Sequence, residues 1–182
     1  MKIIKLILKC LSLSIFISSS LFAQDSQIYG ETDFQASGSS EAHIKFTQGL
    51  LQLHNFEYDD ARKSFLSAQE IDSDFAMAYW GEALTYEHPL WSRHNLKGSR
   101  DALAKLGNSS QDRLNKAITE REKHYIDSVN ILFGEGNQEE REIKYSLKLK
   151  QIYESYPDDL DAAAFYALSL ITISHEGRDY SL

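Results

Sequence analysis

The sequence predicts an all-α fold built from antiparallel helix pairs. Apolar residues recur at helical spacing in successive segments, and short polar turns separate these segments. Only two of the 182 residues are proline, so little interrupts the helices. The hydrophobic fraction of 42% and the charged fraction of 25% are typical of a globular chain, and the length suits one ordinary domain.

The first helix pair is predicted over residues 41–54 and 58–71, with a turn between them. The buried face of the first helix is expected to contain Ala42, Phe46, Gly49, Leu50 and Leu53. The buried face of the second is expected to contain Tyr58, Ala61, Phe65 and Ala68. Ser39 or Ser40 can cap the first helix, because a serine hydroxyl accepts from the free N–H groups of a helix start.

Five further helical segments are predicted, with one irregular stretch between the first two. They cover residues 74–87, 99–106, 112–133, 138–156 and 158–173. Pro89 disfavours helix at His88, so residues 88–95 are expected to be irregular. The helix over 112–133 is expected to bury a stripe of Ile118, Tyr125, Val129 and Leu132.

The last predicted helix, 158–173, is apolar nearly all round, and we therefore expect it to be buried on more than one side. Asp158, Asp159 and Asp161 are expected to cap its N-terminus and to interact with the helix dipole. The chain ends soon afterwards without a polar cap. This favours an N-terminal fragment of a longer protein; the alternative is an oligomer partner that covers residues 162–173.

The first helix pair resembles a tetratricopeptide repeat. Gly49, Ala61, Phe65 and Ala68 fall where that family has a small residue, an alanine, an aromatic residue and an alanine. The small residues let two helix backbones approach, and the ring fills the space beside them. The chain departs from the family pattern at three positions, Lys45, Gln52 and Ser73, where tryptophan, tyrosine and proline are usual.

A weaker likeness to the same repeat covers residues 138–173. The stretch from His54 to Trp91 also resembles the start of exported bacterial tetratricopeptide proteins. The resemblance implies a short right-handed superhelix over residues 41–182. It further implies a concave groove, lined by the first helix of each pair, that binds a peptide or a protein helix.

The N-terminal 23 residues are typical of a secretory signal peptide. Lys2, Lys5 and Lys9 precede an uncharged apolar run that is too short to span a membrane, and Ala23 suits a cleavage site. We therefore expect a periplasmic or secreted protein, associated with the cell envelope, with no stable membrane span after cleavage. Residues 24–40 are polar and aperiodic, and we expect a flexible lead-in there.

Charge and cysteine content exclude several classes of protein. The formal net charge is −8, and the part after residue 23 is more acidic still, so nucleic acid is a poor partner. The single cysteine, Cys10, lies within the predicted signal peptide and precedes its apolar run, which argues against a lipid anchor. Without disulfides, the exported part must be stabilised by packing alone.

Two binding sites are candidates. The first is the groove beside Gly49, where we expect Lys45, Gln48 and Gln52 to be exposed and to contact an unidentified protein or peptide partner. The second is an aromatic pocket at the interrupted stretch, formed by Trp80, His88 and Trp91 with Tyr86 nearby, which would take a small ligand or a glycan. A buried aromatic plug is the alternative interpretation of that cluster.

No catalytic or metal-binding motif accompanies these sites. His54, His88, His94 and His175 stand outside any zinc-site spacing, and the sequence has no nucleophile elbow or phosphate loop. We expect no catalysis, no cofactor and no metal, although an enzyme with catalytic residues beyond Leu182 is a third hypothesis.

Overall fold

The computed structural model describes residues 29–91 and 93–174. The predicted signal peptide, the start of the predicted lead-in and His175 lie outside the described residues. Contacts along the chain divide it after Glu31, and the unit that begins at Thr32 is described below. Over its described part this unit contains eight α-helices and one ladder of two short strands, so the all-α prediction is confirmed.

The helices follow one another along the chain with short connections. They are α1 (Ser40–His54), α2 (Tyr58–Ile71), α3 (Ala76–Leu84), α4 (Leu96–Leu106), α5 (Ser110–Lys116), α6 (Glu120–Leu132), α7 (Gln138–Ser155) and α8 (Leu160–Ser174). Between α3 and α4 lies a small arm made of β1 (Glu87–His88), a 3₁₀ turn (Pro89–Trp91) and the antiparallel strand β2 (Arg93–His94). The arm replaces the irregular stretch predicted at 88–95.

Helices α1, α2 and α3 pack around the ring of Phe65, which is completely buried. A Cβ atom on Gly49 of α1 would lie 3.0 Å from Phe65 Cδ1, and a Cβ on Gly81 of α3 would overlap the same ring. The two glycines therefore permit the close approach that the sequence predicted for α1 and α2. The predicted faces of α1 and α2 are buried, and the predicted limits of this pair are confirmed to within a residue.

The predicted flexible lead-in is wrong for residues 32–39, which pack on the helices. Phe34 is buried, and its ring stacks on Trp80 with the centroids 5.8 Å apart. The Ser37 N–H donates to Glu122 Oε1 at 2.5 Å, and the Ser39 N–H donates to Asp72 Oδ2 at 2.8 Å. The Phe34 ring and these two backbone N–H groups attach the segment to the helices, although its composition is otherwise typical of a loop.

The predicted helix over 112–133 is wrong in its continuity, because two helices occupy that range. Thr119 and Glu122 form a capping box that starts α6, and a second box with Ser109 starts α5. Ile118 lies in the break between them and is 70% exposed, so it does not belong to the buried stripe. Tyr125, Val129 and Leu132 are buried as predicted.

Two other helix limits differ from the prediction. Helix α3 is shorter than the predicted 74–87, because Thr85 ends it before the arm begins. Helix α4 starts at Leu96 and not at 99, because the Asn95 side chain accepts from the Gly98 N–H at 3.0 Å and caps the helix there.

Helix α8 is held at its N-terminus by buried acidic residues. The Arg121 guanidinium donates to Asp159 Oδ2 through Nε (2.8 Å), and Tyr125 Oη donates to the same oxygen (2.9 Å). Asp159 Oδ1 accepts from the Ala162 N–H at 3.0 Å, so it caps the helix as predicted. Asp161 is engaged by other side chains of the core, whereas Asp158 is exposed.

The prediction that α8 is buried on more than one side is wrong within the described part of the chain. Leu170 is 42% exposed and Ile171 is 44% exposed. The opposite side of α8 packs on α7, where Ser169 Oγ donates to Ser146 Oγ at 3.0 Å. One apolar side of the helix therefore stays uncovered by the described residues.

We expect Gly81→Ala to destabilise the protein by about 1–3 kcal/mol, because the new methyl group overpacks the immobile Phe65 ring. Urea unfolding followed by circular dichroism measures this. The double variant with Phe65→Leu should recover part of the loss, since the smaller side chain leaves room for the methyl group. An unchanged free energy of unfolding for Gly81→Ala would contradict the packing described here.

Candidate functional site

A cavity of about 200 Å³ lies where the ends of α1, α3 and α6 meet the arm, α7 and α8. Eight of its lining residues are apolar: Leu53, Phe56, Leu84, Pro89, Leu132, Ala164, Phe165 and Leu168. The others carry polar groups: His54, Tyr58, Glu87, Glu142, Tyr145, Ser169 and Thr172. A concave, mainly apolar space with a few polar groups is the usual composition of a small-molecule site.

Phe56 enters the cavity wall from a turn that normally requires glycine. Glu57 N–H donates to the Gln52 carbonyl (2.9 Å), and Phe56 N–H donates to the Leu53 carbonyl (3.0 Å). This is a Schellman motif, which places the residue after the cap in the left-handed region. Phe56 has φ +62° there, at a cost of about 1–2 kcal/mol for a residue with a Cβ. A glycine would relieve that cost but would remove the ring from the cavity.

The hydroxyl of Tyr58 is a buried polar atom without a partner among the described residues. Tyr58 begins α2 and lines the cavity. Burial first, and then the charge of Glu87, raise the pKa of this phenol to about 12. Buried polar atoms nearly always find a hydrogen-bond partner, so this hydroxyl is an exception, and its oxygen is closed off from the open space of the cavity.

Two carboxylates and an imidazole form the polar side of the cavity. His94 Nδ1 lies 2.5 Å from Glu87 Oε1 across the arm, and His94 Nε2 lies 3.9 Å from Glu142 Oε1 of α7. Both glutamates line the cavity, and all three residues line a smaller space beside it. The hydrogen bond to Glu87 raises the pKa of His94, and the charges of both glutamates add to this against the effect of burial.

Glu87, His94 and Glu142 are also the residues of this site that can offer ligand atoms to a metal ion. One atom from each lies within 4.8 Å of the others. However, the two carboxylates approach different nitrogens of the imidazole ring, as expected for a histidine bridging two acids. An ion bound at Nδ1 would displace the Glu87 carboxylate, so the arrangement favours a histidine that is hydrogen-bonded to Glu87 and electrostatically attracted to Glu142.

His54 lines the cavity and also contacts Asp161 in the first turn of α8. Its Nε2 lies 2.7 Å from Asp161 Oδ1, and Thr32 Oγ1 donates to Asp161 Oδ2 at 2.9 Å. The imidazole also contacts the Phe165 ring, with the centroids 4.9 Å apart. These contacts fix α8, and with it one whole wall of the cavity, against the end of α1.

Trp80, His88 and Trp91 do not line this cavity, so the location predicted for the pocket is wrong although a pocket is close by. Trp80 is 1% exposed and packs in the core against Phe34 and Tyr125, with the Tyr125 ring 5.4 Å away. His88 stacks on Tyr58 at 3.9 Å. Trp91 is 55% exposed, and its ring meets Phe56 edge-on at 5.9 Å. His88 and Trp91 thus support the rings that form the wall.

The three residues predicted to bind a peptide are placed differently from one another. Lys45 is exposed and Gln48 is partly exposed. Gln52 is only 5% exposed, and its Oε1 accepts from Ser64 Oγ at 2.7 Å, so the expectation that it is exposed is wrong. Its amide replaces the aromatic residue of the tetratricopeptide pattern by bonding within the α1–α2 interface.

Glu87, Glu142, Tyr58 and Phe56 were not predicted as site residues. Glu87 and Glu142 come from elements far apart in sequence, and each alone resembles a solvated surface acid. Phe56 offered a signal, since an aromatic residue stands where the turn between two helices usually has glycine. Tyr58 was expected to belong to the core, which is correct for its ring but does not reveal its unsatisfied hydroxyl.

Comparisons with protein-family models, with curated proteins and with solved structures find no match to this chain. The functional inference therefore rests on the geometry of the cavity. Among the helices of residues 29–91 and 93–174, none has the length and apolar character needed to cross a bilayer.

We expect His94 to make stability depend on pH. Its pKa is raised in the folded state, so the protonated ring contributes stability that is fully present below about pH 6.5 and is lost as the pH rises through the folded pKa. Urea unfolding at pH 6 and pH 8.5 measures this. The loss of stability on His94→Gln should be larger at pH 6.

His124 is a matched control of opposite sign. Burial and the charge of Lys148 lower its pKa, so its protonation opposes folding, and the penalty of His124→Gln should shrink or reverse at low pH. Equal losses for His94→Gln at both pH values would contradict the bridging role of His94.

Proposed function

We propose that this protein binds a small, largely apolar ligand in the cavity between α1, the arm and α8. The observation that carries the proposal is the cavity itself, of about 200 Å³, with Glu87 and Glu142 in a mainly apolar wall. A gap left by imperfect packing would be expected to have a purely apolar lining. Here apolar walls and two acidic side chains occur together, which supports a site built for a ligand.

The volume indicates the size of the ligand. An apolar cavity of about 150 Å³ holds one benzene molecule. The space in this protein is somewhat larger, so it suits a single ring with a short side chain, or an aliphatic chain of similar volume. The rings of Phe56, Tyr58 and Phe165 in the wall favour an aromatic body, since rings in contact prefer offset or edge-on packing.

The test uses 2-phenylethanol as a neutral probe and compares two variants at exposed alanines of α8. Ala164 lines the cavity, whereas Ala167 is also exposed but does not line the cavity. Ala164→Phe should fill the opening and abolish binding measured by isothermal titration calorimetry and ligand-detected NMR. Ala167→Phe should bind as the unchanged protein does.

Equal binding to both alanine variants would place the probe elsewhere and contradict the proposal. The proposal would also be contradicted if neutral, cationic and anionic phenyl probes all failed to bind the unchanged protein, because the cavity would then be a packing gap.

We also propose a tetratricopeptide-like arrangement of the helix pairs and a location in the periplasm or outside the cell. The contact of Gly49 with Phe65 supports the first of these. The composition of residues 1–23 supports the second.

A second candidate function is association with a protein partner, and we propose a second copy of this chain as that partner. The observation in its favour is a set of exposed apolar side chains on the adjacent helices α7 and α8: Ile143, Leu147, Tyr153, Leu170 and Ile171. Leu147 is the most exposed of them at 62%. Several exposed apolar residues on neighbouring helices are typical of an interface.

We expect the unchanged protein to self-associate at micromolar concentration and Leu147→Glu to be monomeric in sedimentation velocity, because a charge at the most exposed residue of the apolar set opposes its burial. Ala104→Glu, which adds the same charge at an exposed position of α4, serves as the control and should leave association unchanged. If the unchanged protein is a monomer at every concentration, the proposed self-association is wrong.

A further inference from the structure

The walls of the cavity carry negative charge that the described residues balance only in part. Glu87 and Glu142 line the cavity, and no lysine or arginine is among the described residues that do so. His94 lies between the two carboxylates but makes a close contact only with Glu87, at 2.5 Å. Its distance of 3.9 Å from Glu142 exceeds a hydrogen bond. One imidazole therefore lies beside two carboxylates.

The other charged or polar groups near these acids are committed elsewhere. Gln138 Nε2 donates to Glu142 Oε1 at 2.8 Å, which leaves the carboxylate charge in place. Arg141 lines only the smaller neighbouring space, and its guanidinium donates to the backbone carbonyls of Leu132 and Gly136. Neither residue brings a positive charge to the wall of the larger cavity.

The phenols of the wall complete a site for a cation. Burial and the charge of Glu87 raise the pKa of Tyr58 and of Tyr145, so both phenols of the wall stay neutral. The faces of aromatic rings attract cations, and this attraction is stronger away from water.

We propose that the ligand of this cavity is an apolar molecule with a protonated primary amine. The ammonium group lies against the carboxylates of Glu87 and Glu142, and the apolar body occupies the space lined by Phe165 and Leu168. This assignment rests on the proposed binding function and adds to it the charge of the ligand. A carboxylate ligand would meet two like charges and is disfavoured.

The experiment compares three probes that share a phenyl ring and differ at the head group: 2-phenylethylamine, 2-phenylethanol and 3-phenylpropanoate. Each is titrated into the full chain at pH 7.5 by isothermal titration calorimetry. We expect the amine to bind about tenfold or more tightly than the alcohol, as befits a charge-assisted hydrogen bond, and the carboxylate to bind more weakly than both.

Glu142→Gln should remove most of the preference for the amine, measured as the ratio of the amine and alcohol affinities within the same variant. Glu139→Gln removes an exposed acid of the same helix that does not line the cavity, and it should keep the preference. Glu87→Gln is titrated in the same way, and it still tests the assignment should Glu142→Gln fail to fold by circular dichroism.

The outcomes separate the two proposals. Equal affinities for amine and alcohol, with binding still blocked by Ala164→Phe, would overturn the charge assignment and leave the cavity as a binding site. Binding of none of the three probes would overturn the proposed function. A preference for the amine that survives both glutamate substitutions would place the charge recognition at other residues and overturn the assignment.

Discussion

The burial of one phenylalanine ring between two glycines is the constraint on which the rest of this structure depends. Phe65 of α2 fills the space that Gly49 of α1 and Gly81 of α3 leave open, and the three helices can approach each other only because neither glycine has a side chain. The approach fixes how α1 and α3 lie against α2. Since the cavity opens at the ends of α1 and α3, beside His54 and Leu84, the position of the site follows from a packing contact that lies away from it.

A second, polar constraint closes the opposite wall. Asp159 binds Arg121 and Tyr125, and Asp161 binds His54 and Thr32, so the N-terminus of α8 is fixed against α6, α1 and the segment before α1. Buried charges are tolerated only with such partners, because an unpaired one would cost several kcal/mol. The pairs therefore fix the direction of α8 more than they add stability. That direction leaves Phe165 over the cavity and the opposite apolar side of the helix exposed.

The sequence was sufficient for the helices and insufficient for the site, and particular residues show why. The α1–α2 pair was predictable because the small residues and Phe65 are periodic within one segment. The break at Ile118 was visible in the Thr119–Glu122 capping box, but the apolar spacing across it suggested one long helix. Phe34 is a lone aromatic residue in a polar stretch, and no local sequence pattern indicates that its ring stacks on Trp80. Gln52 and Ser64 likewise satisfy each other across an interface, where composition alone suggests an exposed amide.

The acidic residues of the cavity could not be predicted from the sequence either, but their negative charge indicates the kind of ligand. Glu87, His94 and Glu142 come from β1, β2 and α7, so only the folded arm brings them together. A protein that needed merely to close this gap would lose less free energy with apolar side chains there, since burying two acids beside one histidine is costly. The histidine lessens that cost, because its ring lies between the two carboxylates and is hydrogen-bonded to Glu87. A cationic head group that binds against the same two carboxylates completes the balance of charge.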